Sequence, residues 1–206
     1  MPGRYFLRRP LAEIAQHLGA DPGALVAEPR NNVAPGQEVL VCPPDRALTQ
    51  MRWGIIPVGR VNARGRPVME TVVNARSETV FEKSAFDGVR RCLLPTDGWY
   101  EWTGETRRKT PWRISRRDGA PVVFAGIYDV WTAPGGGTQV WQVAALTCEP
   151  NADVQDIHHR MGVILEPAQF ATWLGADQTE AAALMRPLPD GLLQVEEAVG
   201  VDWDGP

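Results

Sequence analysis

Apolar positions divide the chain into short runs at two distinct periods. Leu11, Ile14, Ala15 and Leu18 recur at helical spacing, with Pro10 suited to a first helical turn and Gly19 to a stop, which predicts a short amphipathic helix. The stretch Asn31-Asn32-Val33-Ala34-Pro35-Gly36 has turn chemistry, after which Glu38–Cys42 and Met51–Ile56 read as strands. Arg60–Pro67, arginine-rich and broken by Gly65 and Pro67, reads as an exposed loop, and Ser77–Phe86 as a helix. Strand-like runs then crowd the middle: Arg91–Leu94, Trp99–Trp102, Trp112–Ser115, Val122–Trp131, Gln139–Thr147 and Met161–Leu165. Pro134-Gly135-Gly136-Gly137 reads as a hairpin connection between two of them. Two further helices are predicted, Pro167–Leu174, with Phe170, Trp173 and Leu174 on one side, and Thr179–Met185. A strand-rich core with peripheral helices is an α+β class, and 206 residues suit a single compact domain over 1–206.

Composition narrows the compartment. No apolar run approaches the roughly 18 residues of a membrane span, and the start Met1-Pro2-Gly3-Arg4-Tyr5-Phe6 lacks the basic stretch and apolar core of a secretory signal. A soluble, cytoplasmic protein is expected. Cys42, Cys92 and Cys148 are too few for a disulfide framework and lack metal-ligand spacing; each lies in or beside an apolar run, as a buried, reduced thiol would. No metal and no cofactor is expected.

The net charge of −4 argues against a general nucleic-acid coat protein, whose domain would be basic. That charge is polarised along the chain. From Val163 onward there are eight acidic residues and one basic, whereas residues 1–162 hold 17 acidic against 20 basic. Nineteen of the 21 basic residues are arginine, which suits bidentate phosphate contacts and equally fits a coding bias.

Six segments carry a resemblance: Gly3-Arg4-Tyr5; Asn32-Val33-Ala34-Pro35; Trp53-Gly54-Ile55-Ile56-Pro57; Asn74-Ala75-Arg76-Ser77-Glu78-Thr79; Arg91-Cys92-Leu93-Leu94-Pro95-Thr96-Asp97-Gly98-Trp99-Tyr100-Glu101-Trp102; and Ile157-His158-His159-Arg160-Met161. In kind, order and spacing the chain resembles the SOS-response-associated peptidase (SRAP) family over about four fifths of its length. The resemblance implies a compact α+β fold, a groove for single-stranded DNA, and chemistry at the terminal amine exposed when the initiator methionine is removed. The partner it implies is single-stranded DNA containing abasic sites, met by a monomeric bacterial protein at the nucleoid. In the family the residue after that methionine is cysteine. Here it is Pro2, which removes the thiol and keeps a terminal nitrogen.

Each candidate has two readings. At strand spacing Asn74 and Arg76 share a face; taken alone they are a turn-capping Asn and a surface Arg, whereas the resemblance has Asn74 hold the N-terminus and Arg76 grip a phosphate. Glu101, among Trp99, Tyr100 and Trp102, has neighbours that would desolvate a carboxyl and raise its pKa; alone it is a solvent-facing Glu, and by resemblance it shuttles protons. His158 and His159 would face opposite ways on an extended chain and make a poor metal pair. The resemblance selects His158 as the acid or base that opens the sugar ring. Arg4, Arg76 and the Arg60–Arg66 loop are candidates to line a phosphate groove, with Trp53 to stack on unpaired bases. Gly162 stands where the family commonly has proline, and the tail Val201-Asp202-Trp203-Asp204-Gly205-Pro206 lacks the expected closing motif.

The chemistry expected of a Pro2 amine is a cationic iminium with the open-chain aldehyde of an abasic site, resolved by hydrolysis or by β-elimination, as in an abasic-site lyase. Two other classes stay open. One is a non-covalent single-stranded DNA or lesion-binding module; the other is a peptidase working through Cys42, Cys92 or Cys148.

Overall fold

The computed structural model describes residues 3–57, 71–105, 108–133 and 136–205. Elements follow in chain order: β1 (Arg4–Leu7), α1 (Leu11–Leu18), β2 (Arg30–Val33), β3 (Glu38–Val41), β4 (Thr49–Trp53), β5 (Asn74–Arg76), β6 (Arg90–Thr96), β7 (Gly98–Thr103), β8 (Thr110–Arg116), β9 (Val122–Thr132), β10 (Gln139–Cys148), β11 (Met161–Gly162), α2 (Phe170–Gly175), α3 (Gln178–Ala183) and β12 (Leu193–Glu197). The α+β class is the observed one.

Two sheets face each other. The first has five strands in the order β12-β8-β7-β1-β2; the second has seven, β3-β4-β10-β9-β6 with β5 and β11 added on β10. The main core fills the space between them, where Trp99 of β7 meets Phe124 of β9 edge to face at 5.5 Å. The outer face of the five-stranded sheet carries a smaller cluster of Phe6, Tyr100 and Ala198, with Trp102, Val201 and Trp203 against it. The C-terminal tail forms that cover. Asn32, only 2 % exposed, donates from Nδ2 to the carbonyls of Asp202 and Gly205, while Trp203 packs on Tyr100 at 5.0 Å and on Trp102 at 5.2 Å.

Several boundaries differ from the sequence expectation. Ser77–Phe86 is not an α-helix: it makes short-range turns (Thr79 N–H to Arg76 O, Glu82 N–H to Thr79 O) and a single 3-10 turn at Ser84–Phe86. Its start is tied down by Ser77 N–H to Thr147 O at 2.9 Å, so a tertiary bond overrides local propensity. Asn31–Val33 belongs to β2 rather than to a turn, and β1 and β12 complete strands that the sequence pattern missed. Met161–Leu165 narrows to the two residues of β11 plus a bridge from Ile164 to Phe124. The helix predicted at Pro167–Leu174 splits into a 3-10 turn and α2, and Asp177 caps α3 by accepting from Glu180 N–H. The Arg60–Pro67 loop lies outside the described residues, as do Pro134 and Gly135 of the hairpin connection. Among the described residues no helix is long and apolar enough to cross a membrane.

Two glycines are fixed by close approach. A Cβ at Gly162 would lie 2.3 Å from the Phe124 ring, so that ring occupies the space a larger residue would need, and the departure at this position is absorbed locally. A Cβ at Gly98 would sit 2.2 Å from the carbonyl oxygen of Ile114 and 2.8 Å from the Phe6 ring. Because backbone cannot swing aside, Gly98→Ala is expected to cost about 3 kcal/mol in denaturant unfolding, the upper part of the usual overpacking range. An unchanged midpoint would show that β7 and β8 are not held this tightly.

Candidate functional site

Glu101 lies in the middle of β7, and strand alternation decides its surroundings. Trp99 and Thr103 share its face, and Trp112, its cross-strand partner on β8, donates its indole N–H to Thr103 Oγ1 at 2.7 Å. Tyr100 and Trp102 point to the opposite face, into the tail cluster. The expected ring of three flanking aromatics is therefore corrected to Trp99 and Trp112, because neighbours at odd spacing cannot share a face. Glu101 is 4 % exposed. Burial pushes its carboxyl up to about 7, with the Trp99 indole N–H acting in the opposite direction.

The start of β1 is directed at this carboxyl. β1 runs antiparallel to β7 with Arg4 opposite Tyr100 and Tyr5 opposite Trp99. Continuing that register by one residue brings position 3 alongside Glu101, so the chain enters the fold beside it. Pro2 itself lies outside the described residues.

β5 forms the second part of the site. It pairs in parallel with β10, Asn74 opposite Ala145 and Arg76 opposite Thr147, which leaves Asn74 half-buried, Ala75 buried and Arg76 exposed. The predicted sharing of one face by Asn74 and Arg76 is the arrangement found. Trp53 links this strand to β1: its indole N–H donates to the Val73 carbonyl at 2.9 Å, and its ring packs on Tyr5 at 5.2 Å. The residue before Asn74 and the residue two beyond position 3 thus touch one tryptophan. Trp53 is 1 % exposed, so it is a core spacer between the sheets and offers no face to an unpaired base; the stacking role is withdrawn.

A third part comes from the turns after β10. Val154, fully buried, anchors them, and His158 N–H bonds to Val154 O at 3.0 Å. The chain is therefore not extended at His158 and His159, and their rings stack at 4.3 Å instead of facing opposite ways. His158 is half-buried and His159 exposed. Burial is the leading cause that lowers the His158 pKa to about 4, with the adjacent His159 acting in the same direction, so this imidazole is neutral at physiological pH. Arg160 closes the turn. Its guanidinium makes a bidentate pair with Glu78 and also donates to Thr147 O at 2.6 Å. This arrangement fixes the His158 turn onto β5 and the end of β10. Glu78 and Arg160 were not singled out from the sequence, because 82 positions separate two residues that each sit inside a recognised motif.

Arg4 is engaged inside the fold. Its guanidinium donates to Asn32 Oδ1 at 2.7 Å and to Trp203 O at 3.0 Å, bracing β2 and the tail. Of the arginines offered for phosphate, Arg76 is the exposed one among the described residues. The three cysteines are all buried and unpaired, and burial raises each thiol pKa, to about 11 for Cys42 and about 12 for Cys148. Thiols so placed are poor nucleophiles. Among the described residues, no group of three or more His, Cys, Asp or Glu side chains could hold a metal ion.

Comparison with known proteins identifies a family and a shared fold. The profile of the SOS response associated peptidase (SRAP) family matches residues 1–201. The chain is 36% identical over 159 residues to the abasic site processing protein YoaM of Bacillus subtilis, covering 74% of this chain and 68% of that one. To YoqW of the same organism, also named an abasic site processing protein, it is 33% identical over 189 residues, covering 87% and 83%. A solved structure from Bordetella bronchiseptica superposes with a TM-score of 0.79 at 26% identity, over 95% of this chain and 99% of that one. One from Bacteroides thetaiotaomicron shares the fold with a TM-score of 0.84 at 22% identity, over 96% and 92%. With two facing sheets, Glu101 buried beside the start of β1, and a profile match over nearly its whole length, the chain belongs to the SRAP family.

Proposed function

We propose that this protein processes abasic sites in single-stranded DNA through the secondary amine of Pro2, exposed when Met1 is removed. The observation that carries the reading is the β1–β7 register, which leads the start of the chain to a buried carboxyl with a pKa of about 7. An α-amine is far easier to deprotonate than a lysine. Glu101, poised near neutrality, takes the proton from that amine and returns one as hydroxide leaves the carbinolamine. The aldehyde carbon and the Pro2 nitrogen are then joined as a cationic iminium. Loss of a proton from the adjacent sugar carbon expels the 3′ phosphate and cleaves the strand; water added to the iminium instead regenerates aldehyde and amine. Asn74 orients the terminus, and neutral His158 donates a hydrogen bond to the sugar oxygen as the ring opens, as uncharged imidazoles do at other electrophilic sites. Buried thiols with raised pKa values speak against a cysteine peptidase mechanism.

An abasic aldehyde must leave the duplex stack to reach a terminal amine, so single strands and strand junctions should bind more tightly than intact duplex. Affinity should fall as salt rises, and Arg76→Ala should lower it and flatten the salt dependence by about one phosphate contact. Titration of a fluorescent abasic oligonucleotide at several salt concentrations, with and without borohydride, measures binding and adduct together. Equal affinity for duplex and single strand, or insensitivity to salt, would refute the phosphate groove. Binding without any reducible adduct would select the non-covalent module.

A further inference from the structure

We propose that Glu78 is a positioning residue for His158, acting through Arg160 to hold the imidazole with its proton on Nε2. This deepens the functional reading above and rests on it for the role of His158. The geometry at the ring is specific: Arg160 N–H donates to His158 Nδ1 at 2.9 Å, with Arg160 O at 3.1 Å from the same nitrogen. A backbone N–H can only donate. With the proton on Nε2 this N–H, the nearer of the two groups, finds its acceptor in Nδ1; with the proton on Nδ1 the ring would instead donate to the Arg160 carbonyl and leave that N–H facing an N–H.

That contact depends on where the Arg160 backbone lies; Met161 beside it is paired with Cys148, and the Arg160 side chain adds a second anchor. Its guanidinium is held by both oxygens of Glu78 and by Thr147 O, and Thr147 O accepts in addition from Ser77 N–H. Ser77 and Glu78 directly follow the Asn74-Ala75-Arg76 strand, so the same pair fixes His158 relative to Asn74. Glu78 is itself half exposed, at 50 % of its side-chain surface. An exposed carboxylate contributes little to stability, yet this one closes a three-way junction of β5, β10 and the histidine turn. Small misplacements of a proton donor are costly to rate, up to a hundredfold for about 1 Å.

The test uses Glu78→Ala and Glu78→Gln in the full chain. Nitrogen-15 NMR of the imidazoles reads the tautomer without DNA, and His158→Ala assigns the signal among the three histidines. At pH 7 the unaltered protein should show the Nε2–H form of His158. Glu78→Ala should broaden that signal or mix in the Nδ1–H form, and Glu78→Gln, which retains an acceptor for the guanidinium, should lie between. With abasic single-stranded DNA, Glu78→Ala should lower the rate of borohydride-trapped complex formation about tenfold. Its DNA affinity should stay level or rise, since a cation is released; general damage to the fold would lower both. An Nδ1–H or imidazolium form in the unaltered protein, or an unchanged tautomer and rate in both variants, would overturn the proposal. Should the unaltered protein form no adduct at all, the functional reading fails while the tautomer result still decides this one.

Discussion

Glu101→Gln is expected to slow adduct formation about a hundredfold while leaving single-stranded DNA affinity near that of the unaltered protein. Glutamine keeps the shape of the buried side chain and loses its proton exchange. The rate should rise with pH through about 7 in the unaltered protein, as the carboxyl ionises, and that inflection should vanish in the variant. Stability should move the other way. A carboxyl whose folded pKa is raised binds more protons in the native state than unfolded, so its contribution falls as pH climbs from about 4.5 to about 7. Glu101→Gln should therefore gain stability relative to the unaltered protein across that window, by up to about 3 kcal/mol at its upper end. Wild-type rates at every pH, or a variant less stable at pH 8 than at pH 4.5 by the same margin as its parent, would remove Glu101 from the chemistry.

Pro2→Cys should have a qualitative effect. With proline the iminium carbon has no internal trap, and the complex should be seen only after reduction. A thiol on the same residue can add to that carbon, surrendering its proton and neutralising the cation as a five-membered thiazolidine. The variant should consequently give a complex that survives denaturing electrophoresis without reductant, at close to the full amount of abasic DNA supplied. Retention of Met1 should abolish the complex in both proteins. A persistent complex in the unaltered protein would contradict an untrapped proline iminium, and none in Pro2→Cys after verified methionine removal would show that the β1 start does not deliver the terminus as argued.

The strand-rich middle of the fold was legible because its strands are long and apolar on at least one face. Val122–Thr132 and Gln139–Cys148 form the centre of the larger sheet, and their runs predict them almost to the residue. β1, β2 and β12 were not seen. Arg30-Asn31-Asn32-Val33 and Leu193-Gln194-Val195-Glu196-Glu197 are short and polar, and the edge strands they form are specified by their partners rather than by their own pattern. Glu101 and Asn74 were legible as candidates because each sits in a recognisable motif. Their surroundings were not, since alternation along β7 sends Tyr100 and Trp102 to the tail cluster and assigns Trp112 from another strand to the carboxyl.

Trp53 and the Glu78–Arg160 pair illustrate two different limits. A tryptophan is chemically able to stack on a base or to fill a core, and only its 1 % exposure decides. Glu78 and Arg160 were already in view as neighbours of Asn74 and His158, but nothing in a linear sequence indicates that one clamps the other. The tail is a similar case: without a recognisable closing motif, Trp203 still covers Tyr100 and Trp102, and Asn32 holds the backbone around it.

The most direct test of the account is to map the covalent link. Protein shown by intact mass to have lost Met1 is reacted with an abasic single-stranded oligonucleotide and borohydride, digested, and sequenced by mass spectrometry. The account predicts one cross-linked peptide, with the reduced sugar on the nitrogen of Pro2. The same modification on Lys83 or Lys109, the two lysines of the chain, or no modified peptide from the processed protein, would contradict it.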